Sequence, residues 1–288
     1  MSLWLDFMGA EIRFVNTRSF GRVRLAEAGK GRGETIIFMH GVGGHLEAYA
    51  KNLVALSDQF HVVAFDFLGH GLSSKKVSEF TPLVLADQLA ELMDELGIHR
   101  AHISGESLGG WVAGLFATRY PERCLSLLLN TSAGIPIISE KGRQDLRDLI
   151  SLSARNANQT PTYDSVLARM QWLMHEKNWG LLNDELVGTR LAYYLQPDLR
   201  QASAAIGKFF AAGGDDYLIP LERVACPTLF LWTRDNPIHD LEAARAAQAK
   251  IAGAALYVME ADACHWPQYE APEEFNEVAR RFFLGSRG

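Results

Sequence analysis

Two kinds of hydrophobic pattern alternate along the chain. Short apolar runs rich in β-branched and aromatic residues predict strands at Val23–Glu27, Thr35–Met39, His61–Phe65, Ala101–Ser104, Cys124–Leu129, Thr228–Trp232 and Ala255–Met259. Stretches of helical periodicity lie between them. One runs from Leu83 to Leu96, with Leu85, Leu89, Leu92, Met93 and Leu96 on one face and Gly97 as its C-cap. Strands alternating with helices predict an α/β fold, a mostly parallel central sheet with helices on both faces.

The rhythm breaks between Gly134 and about Tyr217, where no strand-like run occurs. Trp172, Leu173, Met174, Trp179, Leu181, Leu182, Leu186, Tyr193, Tyr194, Phe209 and Phe210 fall there at helical spacings. Residues 134–217 are therefore expected to form a helical lid over the carboxyl end of the sheet, and residues 1–133 and 218–288 the core domain. Some of these apolar side chains build the lid's own small core, and others line an apolar pocket. The sequence does not sort them.

Composition narrows the class. A chain of 288 residues, 48% hydrophobic and 22% charged, fits one large domain or one domain with an insertion. A net charge of −6 offers no nucleic-acid footprint and no polybasic membrane patch. No apolar run approaches the roughly 20 residues of a membrane span, and Met1 to Ala10 lacks the basic region of a signal peptide. Cys124, Cys226 and Cys264 are odd in number and lack metal-ligand spacing, so a reducing, cytoplasmic setting without disulfides is expected. The expected partner is a small molecule, with no nucleic acid and no membrane. The oligomeric state, a homo-oligomer included, stays open.

The chemistry concentrates at Ile103-Ser104-Gly105-Glu106-Ser107-Leu108-Gly109-Gly110. An apolar strand enters this Gly-x-Ser-x-Gly step and an apolar helical pattern, Trp111 to Tyr120, leaves it. A nucleophile on so tight a turn needs neighbours without bulk, which Gly105 and Gly109 supply. Ser107 is the candidate nucleophile; the bland alternative is a serine that caps the following helix. A serine hydroxyl needs a base within hydrogen-bond reach. His265, after the last predicted strand, is the candidate. Two backbone N–H groups must meet a developing oxyanion. Leu108, next to the nucleophile, offers one, and Val42 in His40-Gly41-Val42-Gly43-Gly44 the other. Gly41 and Gly43 let the backbone approach a substrate, and His40 reads as a structural hydrogen-bonding residue.

His40-Gly41, Asp66-Phe67-Leu68-Gly69-His70-Gly71-Leu72-Ser73, Gly105 to Gly110 and His265-Trp266 together resemble the α/β-hydrolase superfamily. Asp66 to Ser73 reads as a structural loop. Within the superfamily the chain most resembles the meta-cleavage product hydrolases, which cut a carbon–carbon bond in ring-opened aromatics. Trp266 after the histidine and Arg190 in Glu185-Leu186-Val187-Gly188-Thr189-Arg190 carry that resemblance. It implies no metal or organic cofactor, and it implies that Arg190 and Trp266 meet the substrate, Arg190 at its dienoate end. The physics agrees, because a carboxylate beside an enolate suits a guanidinium fork.

Three departures from the family's pattern stand out. The loop Gly43-Gly44-His45-Leu46 lacks a Gly-Pro-Gly step. Glu106 stands before the nucleophile where the family often has Asn. After the strand Thr228–Trp232, Thr233-Arg234-Asp235-Asn236 places Asn236 where the family has its triad aspartate. Asp235 is preferred as the acid, since a carboxylate stabilises an imidazolium and an amide does not. Asn236 as an orienting amide is the alternative. His239 and Asp240 read as the start of the next helix. The resulting expectation is a Ser/His hydrolase acting on a 2-hydroxy-6-oxo-dienoate. Its rivals are a carboxylesterase or thioesterase and a non-catalytic receptor for small hydrophobic molecules.

Overall fold

The computed structural model describes residues 2–76, 79–156 and 159–286. Eight strands form one sheet: β1 (Glu11–Thr17), β2 (Gly21–Ala28), β3 (Thr35–Met39), β4 (His61–Phe65), β5 (Ala101–Glu106), β6 (Cys124–Asn130), β7 (Thr228–Trp232) and β8 (Ala255–Val258). Their spatial order is β1-β2-β4-β3-β5-β6-β7-β8. The β1–β2 and β2–β4 pairs are antiparallel, and every pair from β4 to β8 is parallel. Seven of the eight strands fall where the hydrophobic runs predict them. β1 does not, because it is an edge strand whose Ile12 and Phe14 stay exposed, so Glu-Ile-Arg-Phe-Val shows no buried run.

Strand alternation builds two apolar layers. Ile37, Met39, Val63, Phe65, Ile103 and Leu127 face one side, against the Pro82–Glu95 and Leu108–Arg119 helices. Ile36, Phe38, Val62, Ala64 and Leu128 face the other, against the Ala50–Leu56 and Pro272–Gly285 helices. The Pro82–Glu95 helix starts where Thr81 Oγ1 accepts from the Val84 N–H, with Pro82 in its first turn. It ends before Gly97, whose φ of +69° suits a residue without a side chain.

Between β6 and β7 the described residues form helices and turns only, including Glu140–Asn156, Tyr163–Leu173, Asp184–Tyr194 and Leu199–Ala211. The structure sorts the apolar side chains of this segment. Leu173, Met174, Leu182 and Leu186 pack with the second layer, and Phe209 packs against Trp111, Phe80 and Tyr217 of the first. Among the described residues, no helix is long and apolar enough to cross a membrane.

A buried ionic network ties the helical segment to the sheet. Arg24 on β2 donates from Nε to Asp66 (2.6 Å) and from Nη2 to Glu47 (2.8 Å). Its Nη1 donates to the Tyr193 hydroxyl (2.6 Å), which itself donates to Glu47 (2.7 Å). Asp66 also accepts from the Leu46 and Leu72 N–H groups, so the Asp66 to Ser73 segment is the structural loop its sequence suggests. Burial works against the Arg24 charge, but Asp66 and Glu47 outweigh it and raise the Arg24 pKa. Arg24→Leu strands two buried carboxylates and should cost about 3–5 kcal/mol of stability. Urea denaturation measures this, and a loss under about 1 kcal/mol, the range of an exposed pair, would contradict it.

Candidate active site

Ser107 follows β5 directly and sits at φ +54°, ψ −117°. That conformation is costly for a residue with a side chain, of order 1–3 kcal/mol, and three glycines make it attainable. A Cβ on Gly105 would lie 2.1 Å from the Gly109 carbonyl carbon, and one on Gly109 would lie 2.1 Å from the Met39 oxygen. One on Gly110 would lie 2.3 Å from Ser132 Oγ. The Leu108–Arg119 helix therefore starts in contact with the ends of β3 and β5. The Ser107 carbonyl accepts from Trp111 and Ala133, and its side chain makes no helix-capping bond. Leu108 begins that helix, so its N–H has no intrahelical acceptor.

The loop after β3 passes beside this turn. His40 is buried and its pKa is pushed down to about 3, chiefly by burial. The neutral ring accepts from the Phe67 N–H (3.1 Å) and holds the Gly41 carbonyl (2.7 Å), a structural part as expected. The Gly41 N–H donates to Glu106 Oε2 (2.7 Å), and a Cβ on Gly41 would lie 2.6 Å from that oxygen. Gly41 and Val42 line a cavity of about 40 Å³ together with Ser107, His265 and Trp266. Gly43 does not line it. The Gly43 carbonyl accepts from the Tyr194 hydroxyl (2.8 Å), which occupies the space beside it. Gly43, expected to let the backbone approach a substrate, here packs against Tyr194.

His265 follows β8. Its backbone is fixed by an N–H bond to the Leu173 carbonyl (2.9 Å) and by Thr131 Oγ1 donating to its carbonyl (2.9 Å). Its ring is held by a hydrogen bond on one nitrogen and has a carboxylate beside the other. Nδ1 lies 2.7 Å from Asn236 Oδ1, and Nε2 lies 3.1 Å from Glu106 Oε1. The Asn236 amide donates from Nδ2 to the His239 carbonyl, which turns Oδ1 toward the ring. Nδ1 must therefore be the donor in that contact.

The preference for Asp235 is overturned. Asp235 is exposed, its carboxylate 3.9 Å from His175, while Asn236 is buried against His265. The loop after β7 sets this register: Thr233 Oγ1 and the Asp235 carbonyl both bond to Cys264, so the next side chain, Asn236, turns inward. Asp240 caps the Leu241–Gln248 helix, accepting from the Ala243 N–H. Burial and the neighbouring His265 push the His239 pKa down to about 4.

Arg190, on the Asp184–Tyr194 helix, is fully buried beside the cavity rather than in its lining. Its guanidinium lies 5.2 Å from the centre of the Trp266 ring, and Nε donates to Tyr194 (3.0 Å). Its Nη1 is buried and has no hydrogen-bond partner among the described residues. Arg169 lines the cavity itself, and its Nη1 is likewise buried and unpartnered. The sequence reading passed over Arg169. The signal was present, because Arg169 falls three residues after Val166 and four before Leu173, on the apolar face of its helix.

The matching family model, described as the alpha/beta hydrolase fold, covers residues 34–272, and the chain belongs to that family. One relative, 31% identical over 277 residues, is the dihydrolipoyllysine-residue acetyltransferase component of the acetoin cleaving system of Cupriavidus necator. That alignment covers 92% of this chain and 67% of the relative. Another, 28% identical over 88% of each chain, is the 2-hydroxy-6-oxo-6-phenylhexa-2,4-dienoate hydrolase of Comamonas testosteroni. Among solved structures, a bacterial membrane phospholipase A superposes with a TM-score of 0.84 at 22% identity, over 99% of this chain and 90% of that one. At that identity the likeness shows the fold alone.

The geometry ranks the two candidate partners of His265. Asn236→Ala should slow fluorophosphonate labelling of Ser107 by about tenfold or more, because the ring loses its orienting acceptor. Asp235→Asn should leave the rate within about twofold. Labelling rates followed by mass spectrometry check both, and the reverse ranking would contradict the geometry.

Proposed function

We propose that this protein hydrolyses a carbon–carbon bond in a 2-hydroxy-6-oxo-dienoate formed by aromatic ring opening. One observation carries the reading. Arg169 brings a buried, unpartnered guanidinium nitrogen to the cavity that holds Ser107 and His265, and Arg190 leaves another buried and unpartnered beside it, against Trp266. Burial lowers the Arg169 pKa to about 10, and the like charge of Arg190 adds to the effect. Buried donors without acceptors are costly unless a ligand supplies them. A substrate with a carboxylate beside an enolate does so, and the Comamonas relative is named for such a substrate.

The residues then divide the work. Arg190, stacked near Trp266, holds the acidic end with Arg169. His265 assists ketonisation of the dienol. Ser107, or water activated by His265, attacks the distal ketone, and the N–H groups of Leu108 and Val42 stabilise the oxyanion. The helical segment between β6 and β7 acts as the lid, since Leu149, Arg169, Trp172 and Leu173 close the cavity from that side.

A second reading is ester or thioester hydrolysis by the same residues. It is supported by the shared acyl chemistry and by the Cupriavidus relative, named as an acetyltransferase component. Two substitutions separate the readings. Ser107→Ala should lower turnover by about a thousandfold or more while leaving the thermal midpoint unchanged. Turnover near wild type would remove Ser107 from the chemistry. Arg190→Gln should lower kcat/KM on a ring-fission dienoate by about 10- to 100-fold, and on a neutral nitrophenyl ester by less than about threefold. Equal losses on both would favour the ester reading.

A further inference from the structure

The contact between His265 and Glu106 has a chemical consequence. The Asn236 amide is fixed by its bond to the His239 carbonyl, so Nδ1 of His265 carries a proton. In a neutral ring with that tautomer, Nε2 holds a lone pair. Yet Nε2 lies 3.1 Å from Glu106 Oε1. The contact is an ion-pair approach rather than an aligned ring hydrogen bond, and a carboxylate that close favours the protonated ring over the neutral one. Glu106 is 1% exposed, and its other oxygen is taken by the Gly41 N–H. Among the described residues His265 is the basic side chain within ion-pair distance of this carboxylate, and Arg169 acts on it only at longer range.

We propose that Glu106 is the carboxylate partner of His265, acting on the Nε2 side of the ring, and that Asn236 orients the ring without countering its charge. The residue before the nucleophile then supplies the negative charge that the loop after β7 lacks. The inference rests on Ser107 and His265 being the reacting pair. When the ring is protonated, its Nε2 proton lies beside the Glu106 carboxylate. Delivered to the carbon of a bound dienolate, that proton breaks its N–H bond, forms a C–H bond and turns the enolate into a ketone. Nε2 is left with its lone pair. The proton released from Ser107 Oγ, or from water, as the new C–O bond forms then returns to Nε2 and faces the carboxylate again. In a site closed to solvent this pairing is stronger than it would be in water.

Glu106→Gln tests the charge alone, because the amide oxygen still accepts from Gly41. A ¹⁵N NMR pH series on full-length protein labelled at histidine, with His265→Gln for assignment, should show the His265 ring holding its second proton to a higher pH in the wild type than in E106Q. Equal profiles in the two folded proteins overturn the proposal, and the comparison needs no substrate. It therefore fails independently of the assigned reaction. In turnover, E106Q should lose about 100-fold in kcat. E106Q/N236D, which moves the carboxylate to the Nδ1 side, should regain about tenfold or more. Rescue supports a charge role that a structural residue would not show, and its absence in a folded double variant contradicts it.

Discussion

The site depends on one strained residue. Ser107 holds a positive φ at the end of a buried central strand, and that geometry exists only because Gly105, Gly109 and Gly110 allow backbone to touch backbone. The close approach brings the start of the Leu108–Arg119 helix against Met39 at the end of β3. It also fixes where the loop carrying Gly41 and Val42 runs. The positions of Ser107, of the Leu108 and Val42 N–H groups and of Glu106 are thus set by a single steric constraint. A methyl group on Gly109 would push β3 and its loop away and disperse all three.

The other half of the site comes from the carboxyl ends of the neighbouring parallel strands. Asn236 follows β7 and His265 follows β8, where ligands gather in open α/β sheets. The helical segment contributes Arg169, Trp172 and Leu173 from above, and Arg24 anchors that segment through Tyr193. The result is a small cavity in which cationic and anionic groups are kept out of water together. Arg169 lines it and Arg190 lies beside it, each with a buried Nη1 unpartnered among the described residues, while Glu106 Oε1 lies 3.1 Å from His265 Nε2. On the proposed reading, the substrate places its charge at the arginine side and its reacting carbonyl at Ser107.

Much of this was legible in the sequence, and the misses have physical causes. β3, β4 and β7 are continuous apolar runs because both of their faces are buried, so their limits could be read directly. β1 escaped because an edge strand alternates charge with apolar residues that remain exposed. Ser107, His265 and Val42 could be placed from glycine spacing and chain order. Asp235 against Asn236 could not, since a one-residue register in a loop is set by the tertiary bonds of Thr233 and the Asp235 carbonyl to Cys264. Glu106 stands out in the sequence only as a departure from the family's pattern, since its nearness to His265 Nε2 is set by the fold. Arg169 announced itself as a charge on an apolar helix face, a pattern that marks either strain or a ligand.

The most direct test of the account is the substrate preference of the wild-type protein. Its kcat/KM is measured on a series of ring-fission dienoates, by loss of their visible absorbance, and on nitrophenyl esters of the matching acyl groups. The account predicts that the best dienoate exceeds the best neutral ester by about 100-fold or more, because two arginines are satisfied only by the anionic substrate. Comparable values, or a preference for the esters, would contradict it.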